Sequence, residues 1–131
     1  MRIIISTISC EKNIITVNAD IEIGEIKGIW KSNVKPSKGD EYFVELTIND
    51  FNQEISYLTG EDISTKVILK DDTVLFIGVC EDIDEEVYYI RFDTDWLEMV
   101  EIPENSTKIK VGDYVMFSSK CNDILIYPYT I

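Results

Sequence analysis

The chain holds 22 isoleucines, 10 valines and 9 threonines, but only 6 leucines and one alanine, Ala19. β-Branched side chains are stiff at χ1 and fit a pleated, half-buried surface. Alanine and leucine, the strongest helix formers, are almost missing. Seven tyrosines tip the balance the same way. This choice of residues predicts an all-β chain of short antiparallel strands. The surplus of Ile, Asn, Lys, Asp and Glu also fits an AT-rich bacterial genome.

Hydrophobic periodicity locates the strands. Apolar or alternating runs occur at 2–8, 14–18, 21–31, 41–49, 54–58, 66–70, 73–81, 86–93, 96–102, 113–118 and 124–128. Turn residues separate them, as at Glu11-Lys12-Asn13, Asp50–Gln53 and Asp71-Asp72. The third run contains Gly24 and Gly28, which suggest a bulge or sharp bend. Thr59 with Asp62 resembles a weak capping box, so one helical turn is expected over 59–64. The five strands from Thr73 onward are linked closely enough for a small antiparallel barrel of OB-like or SH3-like kind. The first 60 residues could form a second small sheet packed on it.

An internal duplication is suggested by two stretches. Gly39-Asp40-Glu41-Tyr42-Phe43-Val44 resembles Gly112-Asp113-Tyr114-Val115-Met116-Phe117, each a Gly-Asp turn opening an aromatic-rich strand. One of the two tryptophans, Trp30 or Trp96, lies upstream of each. With 131 residues the chain suits one compact domain over 1–131, which could divide into sub-halves 1–62 and 63–131.

Charge is the next constraint. The formal net charge is -13, from 25 acids and 12 bases. It is concentrated: residues 81–104 hold ten acids and one base, Arg91, and so carry -9. Such a surface repels nucleic acid and anionic membrane and attracts cations. No window approaches the roughly 18 apolar residues of a membrane helix. The apolar start at Met1–Ser6 is cut short by Glu11 and Lys12, so a signal peptide is not expected and a cytoplasmic location is.

Catalytic chemistry is poorly supplied. The chain has no histidine, which removes the commonest general base and metal ligand. Ser-His and Cys-His nucleophile pairs are therefore impossible. No phosphate-loop or dinucleotide motif is present. Cys10, Cys80 and Cys121 lie far apart, an odd set that predicts neither a disulfide framework nor a zinc site. Asp82, Asp84 and Glu86 mimic the first ligands of a calcium loop, but Val87 stands where its glycine is needed. No catalytic residue, metal or cofactor is expected.

The candidate site is instead a binding face: Asp82, Asp84, Glu85, Glu86, Tyr88, Tyr89, Asp93, Asp95, Trp96 and Glu98. Tyr88, Ile90 and Phe92 share one face of their strand, and Val87, Tyr89 and Arg91 share the other. Whichever face is free presents an aromatic among charges, as interface hot spots often do. Tyr88, Tyr89 and Trp96 are the candidate anchors.

A resemblance bears on the role. Gly28-Ile29-Trp30, the stretches from Gly39 to Leu46 and from Gly78 to Asp84, Trp96-Leu97-Glu98-Met99, and Gly112-Asp113-Tyr114-Val115 together resemble small acidic bacterial immunity proteins. That resemblance implies a cytosolic protein that neutralises one cognate toxin and does no chemistry. It assigns no individual residues. The expected partner is a basic protein, with nucleic acid and membrane disfavoured and the chain a monomer or weak dimer. The competing reading is a small β-barrel module binding nucleic acid or a peptide, using Lys27, Lys31, Lys35 and Lys38 around Trp30.

Overall fold

The computed structural model describes residues 1–49, 63–102 and 108–129, together with the backbone of 52–58. The fold is all-β. Its strands are β1 (Arg2–Glu11), β2 (Ile14–Ile21), β3 (Gly24–Trp30), β4 (Glu41–Ile48), β5 (Asn52–Leu58), β6 (Lys66–Lys70), β7 (Thr73–Asp84), β8 (Val87–Asp93), β9 (Trp96–Glu101), β10 (Tyr114–Lys120) and β11 (Ile124–Pro128). A 3-10 turn, Cys121–Asp123, joins the last two.

Two-residue turns explain the tight hairpins. Lys12 and Asn13 both take positive φ, 52° and 66°, between β1 and β2. That geometry matches the right-handed twist of the flanking strands. The expected strand over 21–31 is in fact two elements. Ile21 ends β2 opposite Gly24, and Glu22-Ile23 forms the turn between them. Alternation of Ile21 and Ile23 runs straight through this turn, which hides it from a periodicity reading. The helical turn expected over 59–64 falls largely outside the described residues.

Five strands close a ring. β1 pairs with β2 and β4, β2 with β3, and β11 with both β4 and β3. All contacts are antiparallel except β11 on β3, which is parallel. This is the strand order of an OB-like barrel, so the closed barrel takes four strands from the N-terminal half and one from the C-terminal end. Inward positions alternate as a pleat requires. Ile3, Ile5, Val17, Ala19, Ile26, Ile124 and Ile126 are at most 1 % exposed. Gly28 faces β11: a Cβ there would lie 2.8 Å from the Ile124 carbonyl oxygen. Gly28→Ala is therefore expected to push β11 off its register and cost about 1–3 kcal/mol, checked by urea denaturation.

The C-terminal strands repeat this plan. Ile5 N–H donates to the Asp40 oxygen (3.0 Å), and Gly39 N–H donates to the Ile5 oxygen (2.8 Å). In the second half Cys80 N–H donates to the Asp113 oxygen (2.8 Å), and Gly112 N–H to the Cys80 oxygen (2.8 Å). Both glycines have positive φ, 87° and 95°, which turns the chain into the following strand. The registers agree as well. Ile4 faces Glu41 and Ile3 faces Tyr42, just as Val79 faces Tyr114 and Gly78 faces Val115. Both first strands are bulged one residue past the equivalent point, at Ser6 and at Glu81. β1–β4 thus correspond to β7–β10.

The tryptophans do not share in this correspondence. Trp30 ends β3, whereas Trp96 begins β9. The registers of β2–β3 and β8–β9 place Ile102, not Trp96, at the equivalent of Trp30.

The fifth strands are exchanged between the two repeats. β5 follows β4 in the chain but pairs with β10; β11 follows β10 but pairs with β4. Further links are β6 paired with β7 and parallel to the start of β3 at Gly24. One contiguous core results. Its second half is aromatic: Phe76 stacks on Phe117 at 5.2 Å, and meets Phe92 at 5.9 Å and Trp96 at 6.0 Å.

Candidate binding face

The acidic segment folds as an antiparallel meander of β7, β8 and β9. Residues opposite one another in such a sheet point to the same side. Ile90 and Phe92 are 1 % exposed and define the inner side. Tyr88 lies opposite Ile83 and Val100 and packs against the core with them. The outer side carries Asp82 and Asp84 from β7, Val87, Tyr89 and Arg91 from β8, and Leu97, Met99 and Glu101 from β9.

An apolar strip runs across this outer side. Tyr89 stands between Asp82 and Met99, and Arg91 lies opposite Leu97. Met99 is 66 % exposed and Leu97 38 %, so both stand open to solvent on this side. Acids rim the strip. Asp82, Asp84, Glu85 and Glu101 are exposed, and Glu86 is half-buried beside them at the β7–β8 hairpin. Glu85 takes positive φ, 56°, at that tight tip. The segment's one base is engaged locally. The Arg91 guanidinium donates to Glu81 at 3.1 Å and to the carbonyls of Asp93 and Thr94.

The ten expected site residues therefore divide. Asp82, Asp84, Glu85, Glu86 and Tyr89 come together on or beside the outer side. Asp93 and Asp95 lie at the opposite end of the seven-residue β8, about 20 Å away at the usual rise per residue. Asp95 is drawn toward the first barrel, 3.7 Å from the Met1 ammonium. Tyr88 and Trp96 face inward: Trp96 is 6 % exposed and its ring packs at 4.6 Å from Phe92. The large apolar or aromatic side chains on the free side include Tyr89, Leu97 and Met99. Leu97 and Met99 were not singled out from the sequence, although they alternate with Trp96, Glu98 and Val100.

Glu98 is the unusual acid. Alternation with Trp96 and Val100 turns it to the inner side, where its carboxylate accepts a 2.9 Å bond from the Trp96 indole N–H. Burial pushes its pKa up; the Trp96 bond opposes this, and the charge of Glu45 adds to it. A raised carboxyl pKa means the folded chain binds more protons than the unfolded one between the ordinary and raised values. Stability is then lost as pH rises through that window and regained on acidification. Glu98→Gln keeps an oxygen for Trp96. It is expected to be more stable than the parent near pH 7, with the difference shrinking toward about pH 4, as read from urea midpoints.

The lysine cluster around Trp30 does not make a stacking platform. Trp30 is 4 % exposed, donates its indole N–H to the Val34 oxygen at 2.7 Å, and packs edge-on against Tyr42. Lys27 is paired with Asp72 at 2.6 Å. Cys80 and Cys121 are buried thiols, while Cys10 is exposed; all three are free. No helix among the described residues is long and apolar enough to cross a membrane. No protein-family model matches the chain, and no curated protein or solved structure matches it.

Proposed function

We propose that this chain is an acidic binding protein of the immunity or inhibitor type. It neutralises a cognate basic protein by covering that partner's active or substrate-binding surface. The observation that carries this reading is the outer side of the meander: half-buried Tyr89 beside exposed Leu97 and Met99, framed by Asp82, Asp84 and Glu101. Acids steer a basic partner and raise the association rate, while a desolvated aromatic and its apolar neighbours set residence time. A toxin that handles phosphates needs a basic surface, which such a face fits and occludes. Such a role asks for no catalytic histidine, and the chain has none.

The test is binding to basic proteins encoded beside the gene. Reversing Asp82, Asp84, Glu85 and Glu86 to lysine is expected to slow association at low salt by about tenfold or more. Tyr89→Ala and Met99→Ala are expected to act on dissociation instead, each costing about 1–3 kcal/mol. A charge-reversed variant that associates as fast as the parent at low salt would overturn the acidic face.

A further inference from the structure

The two repeats differ in what covers the outer edge of their third strand. On β3 that edge is occupied at both ends by parallel neighbours, β6 at Gly24 and β11 at Ile29 and Trp30. On β9, the equivalent strand, β8 takes one edge and no described residue pairs with the other. The direction of the free groups follows from one bond. Ile102 N–H donates to the Glu86 oxygen at 2.8 Å. Bonded and non-bonded pairs alternate along an antiparallel ladder, so Leu97, Met99 and Glu101 aim their N–H and C=O groups away from β8. Lys31, two residues past the β3 position equivalent to Glu101, donates to the Ile126 oxygen of β11 at 2.8 Å. The two third strands therefore present the same kind of edge.

A groove lies along the bare edge. A hollow of about 300 Å³ separates β9 from the first barrel, bounded by Glu45, Leu46, Trp96, Glu98, Met99 and Tyr129. Among the described residues its one lining cation, the Met1 ammonium, donates to the Val44 carbonyl at 3.2 Å and pairs with Asp95. We propose that β9 accepts an extended segment of the partner as an added parallel strand, taking the place that β6 and β11 take on β3. The added segment has alternating chemistry. Residues pointing to the outer side extend the Leu97–Met99 strip and are apolar. Residues pointing inward enter the hollow beside Glu45 and Glu98 and carry lysine or arginine. Main-chain bonds supply affinity and the alternating side chains supply specificity. The proposal rests on the reading that the partner is basic.

The experiment uses the whole isotope-labelled chain and a synthetic peptide of about nine alternating valine and arginine residues. Its comparison peptide carries N-methyl groups on every second amide, so it keeps the charge but cannot extend a ladder. The plain peptide is expected to slow hydrogen exchange at Leu97, Met99 and Glu101 by about tenfold or more. The methylated peptide, and the plain peptide on Glu45→Gln/Glu98→Gln, are each expected to bind about tenfold more weakly. Equal binding of both peptides, with shifts confined to the Tyr89 side, would overturn strand addition and leave the acidic-face reading standing. Protection of the same three amides in the free protein would overturn it too, because the edge would already be covered. No shift anywhere on the meander at millimolar peptide would remove both readings.

Discussion

A chain ending at Asn122 is expected to lose its cooperative unfolding transition. The deletion removes β11, which contributes Ile124 and Ile126, both 0 % exposed, to the interior of the closed barrel. Truncating one buried isoleucine costs about 2–5 kcal/mol, so losing two costs much of the 5–15 kcal/mol typical of a whole domain. Deletion also strips β4 of the partner it meets from Ile48 to Val44, and bares the end of β3. Two open strand edges are an aggregation hazard as well as a stability loss. Circular dichroism in a urea series reads the effect. Ile126→Ala, which keeps the strand, is expected to remain folded and lose about 2–5 kcal/mol. A truncated chain with the parent's midpoint would show that ring closure contributes little.

Phe76→Ala is expected to have the largest effect of any single side chain. Phe76 is fully buried and meets three other rings, Phe92, Trp96 and Phe117, at centroid distances of 5.2 to 6.0 Å. Cavity and transfer terms together cost about 3–5 kcal/mol for such a truncation. The lost ring pairs add about 0.5–1.5 kcal/mol each where their geometry is favourable. The fall in Tm is about 10–20 °C for a domain of this size. Near-UV circular dichroism should weaken as well, because Trp96 loses a fixed neighbour. Phe43→Ala is the control: that ring is 57 % exposed and its loss is expected to stay within about 0.5 kcal/mol. Comparable destabilisation by both would contradict an aromatic core centred on Phe76.

Much of this architecture is legible in the residues because strand formation here is locally encoded. Alternation at 41–49 gave Val44 and Leu46 an inward side, and the structure buries both. Gly39-Asp40 and Gly112-Asp113 were readable as matching turns because positive φ there calls for glycine. What sequence periodicity cannot encode is partnership. Nothing local to Ile124–Pro128 says that it returns to Ile48 rather than pairing near its own repeat. The two tryptophans show a related limit: proximity to a repeated motif is not register, and Trp30 and Trp96 sit at opposite ends of their strands.

The sequence reading grouped residues that the structure divides between two sides of the β7–β9 meander. Alternation separates Tyr88 from Tyr89, yet only packing against Ile90, Phe92 and Val100 decides which side is free. A register shift between Arg91 and Asp93 further decouples Trp96 from the face that residues 87–91 suggest. Leu97 and Met99 were hidden by the same reasoning that favoured aromatics as anchors. Glu98 looked like one more surface acid, and its inward position follows only once Trp96 and Val100 are known to be core.

The exchanged fifth strands also bear on how the chain is made. A ribosome releases β1 to β4 well before the strand that completes their barrel. The stretch between Ile48 and Ile124 takes roughly 4–15 s to synthesise at usual elongation rates. During that interval the earlier strands wait with two uncapped edges and an isoleucine-lined interior. Glu41 and Glu45 are exposed charges on β4, one of the two bared strands, and charge at a strand edge disfavours pairing with another chain. Acidity on that strand is expected to matter to the nascent chain as well as to the finished surface.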